Sequence, residues 1–110
     1  MIQQTLSQVK RRIEEADSIT EEKKKELLDL FSRLQSEIEK LARTDQERAE
    51  SIAGFTQTFA HEATRKEKID HLHKLSFEGF VASVEGFETS HPKLVELVNS
   101  IFNSLSNLGI

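Results

Sequence analysis

Residues 27–41, LLDLFSRLQSEIEKL, decide the fold of this chain. Apolar residues recur along them at intervals of four, three, four and three. At 3.6 residues per turn, this spacing places the apolar side chains on one face of an α-helix and the charged ones on the other. The stretch therefore predicts an amphipathic helix that packs against other helices. Its apolar positions are Leu27, Phe31, Leu34, Ile38 and Leu41.

The segment before this helix predicts a second helix that pairs with it. The same apolar spacing runs over roughly residues 2–16. Residues 17–20 (DSIT) then interrupt it, and either Thr20 or Ser18 is the N-cap of the next helix. Because the connection is so short, the two helices should lie antiparallel, and residues 1–43 are predicted to form a charged helical hairpin.

Residues 44–75 form a charged middle segment. A capping-box pattern over 44–47 (TDQE) favours a break after the second helix, although no glycine or proline prevents that helix from continuing. Helical spacing resumes afterwards, and the charged stretch 65–70 is either a solvated helix face or a loop. The segment thus predicts a long helix, continuous or broken, that ends near Glu88.

The C-terminal third, residues 76–110, is an apolar packing segment. It holds four of the seven phenylalanines, and its only lysine or arginine is Lys93. Pro92 disfavours helix at the residue before it and suits the first turn of a new helix. We therefore expect a turn at Ser90 and His91, with Ser90 as the cap of a last helix over about 93–108, and a stop at Gly109.

This third also predicts close helix packing. Small residues form a stripe beside a row of phenylalanines, so that another helix can approach closely. Packing against the last helix of the same chain is the favoured explanation, and contact with a second copy is the alternative. The last helix is apolar over so much of its circumference, however, that we expect another protomer to cover part of it, most simply in a two-fold dimer. The predicted interface comprises Phe77, Gly79, Phe80, Ser83, Val84, Gly86, Phe87, Leu94, Val98, Ile101, Phe102 and Leu105.

The histidines raise the question of a metal site. The strongest set of potential ligands is His61, Glu62, Glu67 and His71. No two histidines stand three or four residues apart, as converging ligands on one helix require. We therefore expect surface or capping roles for these residues, and neither a metal nor another cofactor.

Composition excludes several classes of function. The net charge is −4, which is unfavourable for binding nucleic acid. No apolar run approaches the ~20 residues of a membrane span, and no export signal opens the chain, so we expect a cytoplasmic protein. There is no cysteine, and no nucleophile turn, phosphate loop or dinucleotide fingerprint occurs. We expect no catalytic residue and no enzymatic activity.

Two stretches near the C-terminus resemble a known family. Residues 86–94 (GFETSHPKL) and 105–110 (LSNLGI) are similar to the signature of DUF4404, a family of short bacterial proteins. The resemblance implies a helical bacterial cytosolic protein with a Phe-Glu-x-Ser-His-Pro turn and a Gly-Ile end. It implies no activity and no cofactor, and it draws attention to Ser90, His91 and Pro92.

These observations predict one all-α domain over residues 1–110, a bundle built from the hairpin, the long helix and the last helix. The leading hypothesis is a structural or interaction protein, with coiled-coil-like helices, that self-associates through its C-terminal third. One alternative is a helical bundle that binds a metal or another ligand. The other is a small adaptor that binds an amphipathic helix of a partner protein.

Overall fold

The structure, a computed structural model, describes residues 2–107. Within this range its regular secondary structure is entirely helical, so the all-α prediction is confirmed. None of these helices has the length and apolar character needed to cross a bilayer. Gly109, the expected helix stop, lies outside the described residues. The helices are α1 (Ile2–Glu15), α2 (Glu21–Ala42), α3 (Gln46–Ala63), α4 (Asp70–Ser83) and α5 (Pro92–Ser106).

Two helices each contact three others, and one of these two is α3, which contacts α1, α2 and α4. Its neighbours approach closely because a stripe of small buried residues faces them. The one polar member, Thr56, is satisfied, because its hydroxyl donates to the Ile52 carbonyl oxygen at 2.7 Å. The stripe comprises Ala49, Ala53, Thr56, Ala60 and Ala63.

The apolar face of α2 packs against α1, α3 and α5. At its start, Thr20 is the N-cap, and its Oγ1 accepts a hydrogen bond from the Lys23 backbone N–H at 3.3 Å. The predicted break near residue 44 is present. Asp45, rather than Thr44, caps α3, since its Oδ1 accepts from the Arg48 backbone N–H at 3.0 Å.

The middle segment contains two helices, because the charged stretch between α3 and α4 is a loop. The two helices run antiparallel and share aromatic contacts. The Phe59 ring lies with its centroid 5.1 Å from that of Phe80 and 5.9 Å from that of His73. This packing makes α3 the main support of α4, which has a smaller contact with α5.

The prediction that this helix continues to about Glu88 is wrong, because α4 ends at Ser83. Gly86 follows with φ of +94°, a conformation that side-chain-bearing residues rarely adopt. The Glu88 carboxylate accepts from the Gly86 N–H at 3.1 Å and so stabilises the turn. The chain therefore leaves helical geometry about five residues earlier than its apolar spacing indicates.

The prediction that Ser90 caps the last helix is also wrong. His91 occupies the N-cap position, and Pro92 begins α5. Ser90 stands one residue before this position, and within residues 2–107 no side chain makes a capping hydrogen bond to the first turn of α5. The Ser90 hydroxyl instead lies 3.0 Å from His91 Nδ1.

Candidate interaction surface

Most of the side chains predicted to form a subunit interface are packed inside the single chain. α5 lies against α2, and the Phe77 and Phe102 rings stack at 3.8 Å between centroids, which joins α4 to α5. Phe77, Gly79, Phe87 and Phe102 are half-buried, and Gly86 is exposed. Only these five offer surface to a second copy. The buried members are Phe80, Ser83, Val84, Leu94, Val98, Ile101 and Leu105.

The exposed large apolar side chains of the described residues lie on α3 and at the start of α4. Phe55 is 43% exposed, Leu72 39% and Leu75 49%. These three line a groove of about 190 Å³ between the helices, together with Thr58, Glu62 and Ser76. We call it the α3–α4 groove. Ile69, 42% exposed, stands three residues before Leu72 and extends the apolar surface beyond it.

Gly79 lies beside the Phe55 ring, which lines this groove. A Cβ atom at position 79 would lie 2.8 Å from Cδ1 and Cε1 of Phe55, closer than real contacts allow. The absence of a side chain at Gly79 is therefore what lets the Phe55 ring lie against α4. Any larger residue there would push the ring outward and change the shape of the groove.

The charged groups beside the groove are largely compensated. Glu62 is buried, and its Oε1 accepts from Arg65 Nη1 at 3.1 Å, while His61 Nε2 lies 3.8 Å from Oε2. A buried carboxylate without such a partner would be strongly unfavourable. At the end of the preceding loop, slight desolvation of the exposed Lys68 ammonium lowers its pKa, with Asp70 opposing that shift. Glu62, the charged residue among the described residues that line the groove, is thus paired.

The potential metal ligands do not come together. His61 and Glu62 are adjacent on α3, whereas Glu67 lies in the loop and His71 is exposed on the first turn of α4. Within residues 2–107, no three carboxylate or imidazole groups converge as a metal site. The arrangement of Glu62 is explained by its pair with Arg65.

Sequence reasoning missed the groove, although a signal for it exists. The apolar spacing assigns Phe55 to the apolar row of its helix, and Leu72 and Leu75 to an apolar helix. The small-residue stripe of α3 repeats at four, three, four and three, and it marks the centre of the buried face. At ~100° per residue, Phe55 lies roughly a third of a turn from that centre, on the flank of the helix.

A second missed residue, Arg48, holds the turn between α4 and α5. Its Nη2 donates to the carbonyl oxygens of Ser83 at 3.3 Å and Glu85 at 3.1 Å. Its guanidinium carbon lies 4.5 Å from the centroid of the Phe87 ring, and the His91 ring meets that ring edge-on at 5.4 Å. Arg48 therefore satisfies carbonyls at the end of α4 and ties the Phe-Glu-x-Ser-His-Pro turn to α3.

Comparison with known proteins identifies a family for this chain. The family model described as "Domain of unknown function (DUF4404)" matches residues 27–110. The matched range starts in α2 and includes the α3–α4 groove and the turn before α5. No curated protein and no solved structure matches the chain.

Proposed function

The chain belongs to the DUF4404 family, and we propose that it is an interaction protein that self-associates through the α3–α4 groove. The exposure of Phe55, Leu72 and Leu75 along one groove supports this proposal. Single exposed apolar residues are common on monomers, but a contiguous set of large ones is typical of a surface that another molecule covers. The proposed interface thus moves from the buried C-terminal third to α3 and α4.

Symmetry favours a second copy of the chain as the molecule that covers this surface. A two-fold axis doubles every contact, so a modest apolar patch on each protomer contributes twice to one interface. α3 and α4 form an antiparallel pair, and two such pairs packed face to face make a four-helix arrangement.

A cation in the loop before α4 and an acid on α4 favour an antiparallel pairing of this helix with its copy. With Leu72 and Leu75 at the centre of the contact, Lys68 of each protomer would lie near Glu78 of the other. Both residues are exposed in the single chain, and neither forms a salt bridge there within residues 2–107. Opposite charges at the rim set register and orientation more than affinity. The apolar centre is therefore expected to supply the free energy of association and the rim charges its direction.

The test is the mass in solution, measured by light scattering coupled to size-exclusion chromatography. Refractive index should be used to measure concentration, because the chain has no Trp or Tyr. The expected mass of the wild-type protein is twice 12.6 kDa. Leu75→Glu should give a monomer, since it places a charge in the centre of the interface. Lys74→Glu, one residue away on a different face of α4, should remain a dimer.

A wild-type monomer at the highest soluble concentration would overturn the proposal, and a partner helix from another protein would then be the better explanation of the groove. A dimer that survives Leu75→Glu would place the interface elsewhere and overturn it equally. Circular dichroism should show that both variants keep their helical content, because Leu75 is half-exposed and contributes little to the core.

Gly79→Ala gives a finer test of the same surface. Alanine is favoured over glycine inside a helix by about 1 kcal/mol, so folding stability should not fall much. The added Cβ displaces the Phe55 ring, however, and the dimer should dissociate more readily. Equal dimer affinity for Gly79→Ala and wild type, measured by analytical ultracentrifugation, would show that the position of Phe55 does not matter to association.

A further inference from the structure

A cleft of about 460 Å³ lies between α1 and α3, away from the α3–α4 groove. We call it the α1–α3 cleft. Among the residues 2–107 that line it, four are basic and one, Glu15, is acidic. This concentration of positive charge is unusual in a chain with a net charge of −4. The basic residues are Arg11, Arg12, Arg65 and Lys66.

The two helices run parallel here, because the start of α1 lies beside the start of α3 and their ends meet at the cleft. Gln57 Nε2 donates to Gln8 Oε1 at 2.7 Å, which holds the helices together at the inner edge. Both carboxyl ends therefore contribute partial negative charge, about half a unit each. Part of the basic charge thus compensates the helix dipoles.

The remaining charge is not compensated. Arg65 is paired with Glu62, but Arg11, Arg12 and Lys66 have no ion pair or hydrogen bond among residues 2–107. Three free cations set against Glu15 and two helix dipoles leave about one unit of positive charge. The N–H groups of Gln8 Nε2 also lack a partner within the same range. The cleft thus presents N–H donors and a net positive charge.

We infer that the α1–α3 cleft binds a small organic molecule carrying phosphate groups. The planar fork of an arginine donates two hydrogen bonds to one phosphate, and a pair of arginines can hold adjacent phosphates. The volume falls within the roughly 300–1,000 Å³ of small-molecule sites, so there is room for an organic part beside the phosphates. The buried residues Val9 and Ala16 supply an apolar wall for that part. This site does not depend on self-association.

Isothermal titration calorimetry with inorganic pyrophosphate, at low ionic strength, tests the inference. Wild-type protein should bind one pyrophosphate per chain. Because exposed charge pairs are worth up to about 1 kcal/mol, Arg11→Gln and Arg12→Gln should each weaken binding by up to about fivefold. Lys10→Gln is the matched control. Lys10 immediately precedes Arg11 in α1 but does not line the cleft, so loss of its charge should leave pyrophosphate binding unchanged.

A gain of affinity gives the sharpest evidence. Glu15→Gln removes the one acid of the lining and should strengthen pyrophosphate binding about twofold, which a purely structural role of the arginines would not produce. The inference is overturned if pyrophosphate does not bind, or if Lys10→Gln weakens it as much as Arg12→Gln does. It is also overturned if only vesicles containing phosphatidylglycerol bind. The Leu75→Glu variant should bind pyrophosphate like the wild type. A failure of pyrophosphate binding can therefore be told apart from a failure of dimerisation.

Discussion

The C-terminal third and the α3–α4 pair both carry large apolar side chains, but the chain covers them differently. α5 lies against α2 and buries Leu94, Val98 and Ile101 completely. In contrast, Leu72 and Leu75 of α4 remain about half-exposed, because no helix of the described residues lies over them. An apolar sequence therefore identifies a face that needs a partner, whereas only the packing decides whether the partner is internal. For this reason, the proposed interface lies on the α3–α4 pair and not on the C-terminal third.

The largest effect should come from a matched pair of truncations across these regions. Ile101→Ala removes a fully buried side chain and should lower the free energy of unfolding by about 2–5 kcal/mol, since a cavity remains. Leu75→Ala should cost less than about 1 kcal/mol in the monomer. Urea unfolding followed by far-ultraviolet circular dichroism, at equal and low protein concentration, measures both. Similar losses would contradict the difference in burial between the two regions.

An intermediate effect is expected at Arg48, which connects the regions by binding the turn between α4 and α5. Arg48→Ala removes two hydrogen bonds and a cation–π contact and should destabilise the fold by about 1–2 kcal/mol. Arg48→Lys keeps the charge but not the planar fork, so it should recover less than half of the loss. Thermal unfolding of the three proteins gives the comparison, and full recovery by lysine would show that charge alone matters.

The smallest effects should come from two glycine-to-alanine substitutions that change the free energy of unfolding in opposite directions. Gly86 has φ of +94°, so Gly86→Ala should destabilise the protein by about 1 kcal/mol. Gly54 lies inside α3. Apart from its two chain neighbours and the backbone of its own helix, a Cβ atom added there would have no heavy atom within 4 Å. Gly54→Ala should therefore stabilise the protein by about 0.5–1 kcal/mol. Chemical unfolding of both variants tests the pair. If Gly86→Ala raised the free energy of unfolding as Gly54→Ala is expected to, the turn before α5 would tolerate a side chain.

Sequence periodicity alone is sufficient to predict the all-helical fold class and the buried face of α2. Leu27, Phe31 and Leu34 are all buried where their spacing places them, because a wide apolar stripe has only one way to avoid water. The family resemblance is also confirmed, and the match extends well beyond the C-terminal motif that carries it.

The sequence could not show where α4 ends or which apolar faces stay exposed. The apolar spacing continues past Ser83 to Val84 and Phe87, although Gly86 turns the chain there and Arg48 holds the turn from α3. That bond joins residues 37 positions apart in the chain. Similarly, the exposure of Phe55 depends on the position of α4 relative to α3, which local spacing does not contain.

The central place of α3 has a consequence for how the molecule opens. α3, like α2, is held by three helices, whereas α4 is held mainly by one and is bounded by loops on both sides. Regions with few partners exchange their amide hydrogens through local fluctuations, and the most enclosed ones exchange only when the whole domain unfolds. Amides of α2 and α3 should therefore be the slowest to exchange, and those of α4 should be released earlier, in a separate cooperative step.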